Sequence, residues 1–348
     1  MPEAAEIKNP AVEYVHTNNI PELFAKLNIS LLVSTYQAQR IMAFSSNNTK
    51  LNMLMRVLPR PTGMAFSDKK LAICSQHQVW IFNTAFDVQD LSGKKEPNDV
   101  WFVPRKSYVT GDILGHELAW IGNELNIVNT RFSCISKVSD EWSFEAIWKP
   151  KFISKLAAED RCHLNGIAHD GKQIRFVSAL AESDKAEGWR DKRLKGGIIM
   201  DYASKEIIAR DLCMPHSPRI YDNKLWVLDS GQGQLKLIDP KDGKHVPVLQ
   251  LNGYLRGLAF LGHYAFIGLC KIREKKTFGG LPIEEKFKDL PCAIHIVNLN
   301  TGTSEGFIEF KKGIEEIFDI HVLPGARNPE IVGFEEDTVK GLFILPPA

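Results

Sequence analysis

The chain has 348 residues, 44% of them apolar and 24% charged, with 43 basic side chains against 42 acidic ones. These are the proportions of a soluble globular protein, and the near-zero balance gives no electrostatic reason to bind nucleic acid or an anionic membrane. No apolar run approaches the length of a membrane span. The opening MPEAAEIKNP has neither the basic nor the apolar region of a secretory signal, so a cytoplasmic protein is expected. The six cysteines (74, 134, 162, 213, 270, 292) form no CxxC pair and sit in or beside apolar runs, which reads as reduced core thiols.

In chain order, AVEYVHT (11–17) is a short strand candidate and PELFAKLNI (21–29) the best candidate for a helix. A first apolar strand begins near Leu31 and leads into STYQ (34–37). PTGMAFSDKKLAICS (61–75) then reads as strand, two-residue turn and strand. It aligns without a gap on PHSPRIYDNKLWVLD (215–229), and the pattern recurs as HELAWIGNELNIVNT (116–130), LNGIAHDGKQIRFVS (164–178), RGLAFLGHYAFIGLC (256–270) and FDIHVLPGARNPEIVGF (318–334). Each second strand runs into a polar loop and a third apolar strand.

Repetition at about 40–50 residues with short strands is the signature of a β-propeller. Seven units, starting near Leu31, Leu71, Leu125, Ile174, Leu225, Ala265 and Ile331, predict an all-β fold: one propeller domain over 1–348, with seven blades and six as the alternative. The first unit lacks a clear innermost strand. The last lacks a fourth, which AVEYVHT is expected to supply in closing the ring. Insertions at 180–197 and 271–292 interrupt the regular blades and are expected to rise over one mouth of the channel. There Trp189, Arg190, Phe278 and the Gly279-Gly280 pair can close over a ligand.

The first strand of each blade lines the central channel, and its start meets the loops between second and third strands. That rim holds Thr62, His116, Asn165, His216, Arg256 and Phe318, with Glu117, His163, Arg219, Glu315, Glu316 and Asp319 beside it. Pro215 and Pro218 stiffen the backbone around His216. Convergent histidines, carboxylates, arginines and amides are the set expected of a ligand site, although channel-facing polar groups also exist simply as solvated groups. In the catalytic reading His116, His163 and His216 serve as bases, and Asp319 and Glu315 as orienting or acidic groups. Arg256, Arg219 and Arg131 hold an anion with Asn165, and Tyr36 donates a proton. The same three histidines can instead share a divalent Zn, Mn or Fe, completed by Asn165, Glu117 or Asp319. In EDRCHLNG (159–166), Asp160 and Arg161 are expected to pair and brace the loop that presents His163.

There is no Walker A loop, GxGxxG, GxSxG or HExxH. The blocks SLLVSTYQA, NTRFSC, EDRCHLNG, MPHSPR, KIRE with TFGGLPI, and EEIFDI resemble those of an uncharacterised bacterial family catalogued as a domain of unknown function. In fold, the chain is also similar to the NHL-repeat and gluconolactonase-like propellers. Members of the latter group hold a divalent metal through Glu, Asn and Asp, whereas this chain offers histidines. The expectation is a central-channel enzyme of hydrolase, lyase or isomerase type acting on a small polar or anionic molecule, with no cofactor or one divalent metal. The alternative is a non-catalytic propeller that binds a protein or peptide partner through its mouth loops. Carbohydrate recognition by Trp101, Trp189 and Tyr36 is a third possibility.

Overall fold

The computed structural model describes residues 11–67, 69–86, 88–90, 98–272, 279–333, 340 and 342–345. Six antiparallel sheets stand around a central axis, so the fold is an all-β propeller with six blades, not the seven expected. Blade I consists of strands Asp319–Pro324, Ile29–Thr35, Arg40–Ser46 and Leu51–Val57, from the channel outward. The inner strands of blades II to VI are Met64–Ser67, Gly115–Ile121, Leu164–His169, Pro215–Tyr221 and Tyr254–Leu261. Each pairs with the next strand in sequence, as the repeat predicts.

The miscount lies in FDIHVLPGARNPEIVGF, which is not a hairpin. Its first half pairs with Ile29–Ser34 in six consecutive register positions and becomes the missing innermost strand of blade I. Ile29–Thr35 is buried along its whole length, so both of its edges need partners; an unmatched buried amide costs about 1–3 kcal/mol. Gly325, at φ 81°, then turns the chain away. Pro329–Ile331 lies parallel to Val100–Phe102 on the outside of blade II. The N-terminal segment does not close the ring either. Glu13–His16 adds a fifth, outermost strand to blade VI. Its side chains alternate between exposed and half-buried, which suits an edge and not a channel wall.

The period-two alternation of each strand feeds two different cores. Leu225 and Val227 pack with Ala168 and Ile199 of blade IV, whereas Trp226 and Leu228 pack with Leu255 and Leu258 of blade VI. Five of the six largest apolar clusters among the described residues each join one pair of neighbouring blades, and the sixth, where Phe266 and Ile294 of blade VI meet Leu31 and Phe44 of blade I, also takes in Leu180, Trp189 and Met214. Every blade is therefore held from both sides, and burying each Leu, Ile or Val contributes about 1.5–3 kcal/mol. The short helix Ile20–Leu27 forms where expected and tucks Ile20 and Phe24 into the cluster between blades VI and I. All six cysteines are buried. No helix among the described residues is long and apolar enough to cross a membrane.

Candidate site at the channel mouth

Five of the six rim residues expected from the sequence, His116, Asn165, His216, Arg256 and Phe318, line one cavity with Glu117, Ser217 and Asp319. Its empty volume is about 250 Å³, including the open mouth. Thr62, the sixth, is buried beside Ser34, whose hydroxyl donates to the Thr62 carbonyl at 2.6 Å.

The two cavity histidines are held by the same device. His116 Nδ1 lies 2.9 Å from the carbonyl of Leu114 and 2.8 Å from the hydroxyl of Thr130. His216 Nδ1 lies 3.0 Å from the carbonyl of Met214 and 3.0 Å from the hydroxyl of Ser230. In both, the carbonyl belongs to the residue two positions earlier and the hydroxyl to the one fourteen later. A carbonyl only accepts, so each Nδ1 carries the proton and each Nε2 keeps its lone pair. Leu114 and Met214 sit in the left-handed region, at φ 49° and 55°, a conformation that costs a non-glycine residue about 1–2 kcal/mol. Arg60 and His163 do the same before Thr62 and Asn165, so four blades enter the rim through a strained residue. Burial holds both imidazoles well below the ordinary histidine pKa; His163 and Arg256 add to the effect at His116, and Arg256 and His163 at His216. Both rings are therefore neutral at pH 7.

One residue deeper, glycine alternates with a polar side chain around the ring. Blades II, IV and VI present Gly63, Gly166 and Gly257, and blades I, III and V present Asp319, Glu117 and Ser217. Each polar group accepts a backbone N–H from the next blade: Glu117 from Ile167 at 2.7 Å, Ser217 from Gly257 at 3.2 Å, and Asp319 from Met64 at 3.0 Å. The glycines make the room. A Cβ on Gly166 would stand 2.9 Å from the Glu117 carboxylate and 2.4 Å from Pro218.

Arg219 closes the channel beneath. It donates to Leu258 O at 3.0 Å and Pro218 O at 2.9 Å, bonds Glu117, and lies 3.6 Å from Asp319. One guanidinium thus serves two buried carboxylates, and they respond differently. Burial pushes Glu117 up to about 7 against the pull of Arg219. Burial acts on Asp319 in the same sense, but the His321 imidazole, at 3.1 Å, and Arg219 outweigh it and hold that carboxyl below its ordinary value. Arg219 itself stays charged: burial opposes this, and the two carboxylates prevail.

The remaining expected residues fall around this centre or away from it. His163 does not line the cavity; its ring stands edge-on to His116 with centroids 4.8 Å apart. Its Nδ1 bonds Asp160 at 2.8 Å, and Trp189, 1% exposed, packs 4.4 Å from the ring and donates its indole N–H to the same carboxylate. Asp160 therefore serves His163 and not Arg161, which pairs with Glu159 and Asp184. Arg256 lies 3.6 Å above the Phe318 ring and bonds Glu316 at 2.8 Å. Asn165 spans to blade V, donating to Pro215 O at 2.7 Å and accepting from Ser178. Tyr36 rests against Phe318 with ring centroids 6.0 Å apart. Arg131 is tied to Asp112 at 2.7 Å on a partly exposed loop, and Glu315 is exposed beside Lys271, so neither lines the cavity. Trp101 is buried in the outer strand of blade II, away from the mouth.

The two insertions meet over the rim. Trp189, Leu281 and Ile283 share one apolar cluster, and Arg193 donates to Gly279 O at 3.1 Å. Phe278 and the loop FEED (334–337) lie outside the described residues. Among the described residues no three His, Cys, Asp or Glu side chains converge as a metal-holding group. The free Nε2 atoms, backed by Nδ1–H donors to oxygen, are nevertheless the kind of donor that metal-binding histidines present. Reading single residues missed Ser217, Thr130 and Ser230. The two hydroxyls were detectable, because each stands fourteen residues after its histidine in aligned hairpins.

A family model described as "Domain of unknown function (DUF4915)" matches residues 18–332. No curated protein matches the chain in sequence. Among solved structures, a chain of the nidogen/laminin complex is similar at TM-score 0.56 and 12% identity, over 86% of this chain and 99% of that one. A protein of unknown function from Bacteroides caccae is similar at TM-score 0.52 and 9% identity, over 85% and 98%. At such identities the likeness extends to the propeller fold alone.

Proposed function

We propose, for a chain that belongs to the family described as Domain of unknown function (DUF4915), an enzyme whose site is the channel mouth. It acts on a small polar or anionic substrate by proton-transfer chemistry of the hydrolase, lyase or isomerase type. The observation that carries this reading is the pair His116 and His216, from blades III and V. Both are fixed with Nε2 unprotonated, in one open cavity beside a guanidinium. A buried neutral imidazole is a general base that needs no activation at neutral pH. Arg256 supplies the positive charge that holds or polarises an anion, and Ser217 and Glu117 are the hydroxyl and the carboxyl next to it.

The test is a turnover screen on purified protein. Esters and lactones report hydrolysis, and small acids incubated in D2O report exchange of carbon-bound protons by NMR. Replacing both histidines by asparagine is expected to lower any turnover at least 100-fold while leaving thermal stability within a few degrees. Turnover unchanged in that double variant refutes the reading.

A second reading rests on the Nε2 donors. His116 and His216, with His163 next to them, would hold a divalent Zn, Mn or Fe, and such an ion would supply a Lewis acid at the mouth. Elemental analysis decides it: about one metal per chain in the native protein, lost in the His116→Asn variant, supports the ion, and no metal after loading refutes it. The partner-binding alternative draws on the Arg193 to Gly279 bond, which joins the two insertions into one surface. It requires that a captured partner depend on the 180–197 and 271–292 insertions and ignore both histidines.

A further inference from the structure

The polar groups of the cavity define its ligand by what they leave unmatched. Both protons that the imidazoles carry at Nδ1 are spent on Leu114, Thr130, Met214 and Ser230, so His116 and His216 offer the cavity only acceptor lone pairs. Ser217 accepts the Gly257 N–H, and its own O–H proton meets no partner among the described residues. Asn165 is engaged with Pro215 and Ser178. Arg256 uses Nη1 on Glu316, and its other N–H groups meet no partner among the described residues. Glu117 and Asp319 also line it but are engaged with Ile167, Met64, His321 and Arg219. What the mouth leaves unmatched is therefore one cationic donor, one hydroxyl donor and two acceptors, against the Phe318 ring.

An anion made only of acceptors would satisfy Arg256 and Ser217 but press its lone pairs against those of two imidazoles. A neutral polyol would satisfy the imidazoles but leave the Arg256 N–H groups not used on Glu316 unmatched. The empty space of about 250 Å³ includes the open mouth, so only a ligand of a few carbons can be held between these groups. We infer that the cavity takes a small hydroxycarboxylate, its carboxylate on Arg256 and its hydroxyl groups donating to Nε2 of His116 and His216. This rests on the channel mouth being the site, in the metal-free form of that reading. A buried donor–acceptor match of this kind discriminates strongly, because the analogue without the hydroxyl leaves the site's acceptors desolvated and unpaired.

The experiment is calorimetric titration and thermal shift of the full chain at pH 7.5 in EDTA. The probes are lactate, glycerate, malate and tartrate, each set against its deoxy counterpart propionate or succinate, with glycerol and sulfate as further arms. At least one hydroxy acid is expected to bind saturably and ten-fold or more tighter than its counterpart, with no binding of glycerol or sulfate. Arg256→Gln is expected to abolish that binding, and Ser217→Ala to weaken it several-fold. A counterpart or sulfate that binds as tightly, or the absence of binding by every hydroxy acid, overturns the inference. Hydroxy-acid binding without any turnover would sink the enzyme and leave this ligand class standing. Turnover of substrates lacking hydroxyl groups would do the reverse.

Discussion

Glu117 makes the stability of this propeller fall as pH rises, against the usual behaviour of a paired carboxylate. Its carboxyl is buried between blades III and IV and shares Arg219 with Asp319. It ionises near 4.5 in an unconstrained chain and near 7 in the fold. Between those values the folded protein holds a proton that the unfolded chain has released. The stability this group contributes is fully present below about pH 4.5 and is lost as pH climbs through 7. At 1.36 kcal/mol for each pH unit separating the two states, the loss is about 3 kcal/mol. The wild-type profile alone does not isolate it. His116 and His216, held neutral by burial, act in the opposite sense, because the unfolded chain takes up protons at those rings on acidification and the fold does not. Glu117→Gln removes one titration and keeps the size of the side chain. Urea unfolding of both proteins from about pH 4 to pH 8.5 gives the difference curve, from which any constant offset due to the altered hydrogen bonds drops out. The wild-type advantage is expected to shrink by about 3 kcal/mol across that range. Parallel profiles, or an advantage that grows with pH, would show that the attraction of Arg219 outweighs burial at this carboxyl.

Three further outcomes follow from the same architecture. Gly166→Ala forces a methyl against Pro218, Ser178 and Glu117 and is expected to cost more than about 3 kcal/mol by urea unfolding, whereas Gly262→Ala, at φ 55° with open space around it, costs about 1 kcal/mol. Asp319→Ala strips the Met64 N–H of its acceptor and leaves Arg219 with one carboxylate, a loss of about 3–5 kcal/mol measured the same way. The six buried thiols should stay silent to a disulfide reagent in the native protein and all react in denaturant. Burial, with a smaller push from Asp112 and Asp160, raises Cys74 to about 11 and Cys162 to about 12. A fast-reacting thiol in the native state would contradict that placement.

The repeat, the all-β class and most of the rim were legible in the sequence, because they depend on local pattern. Alternation within PTGMAFSDKKLAICS and its relatives specifies strands and turns, and aligning the hairpins aligns the positions that face the axis. That is why His116, Asn165, His216, Arg256 and Phe318 could be named before any coordinates. The number of blades was not legible: FDIHVLPGARNPEIVGF has the pattern of a hairpin, and only the demand of Ile29–Thr35 for a second neighbour draws its first half into blade I. Nor was the division of labour among the charged residues. Sequence neighbours suggested Asp160 with Arg161, but the loop before Leu164–His169 takes Asp160 through the left-handed region, at φ 43°, Arg161 pairs with Glu159 and Asp184 instead, and the ring brings distant blades together. Asp160 meets His163 and Trp189, and Arg219 reaches carboxylates 102 and 100 residues away. Local pattern determined which residues face the axis. Closure of the ring decided which of them touch, which stay neutral, and what kind of molecule could fit between them.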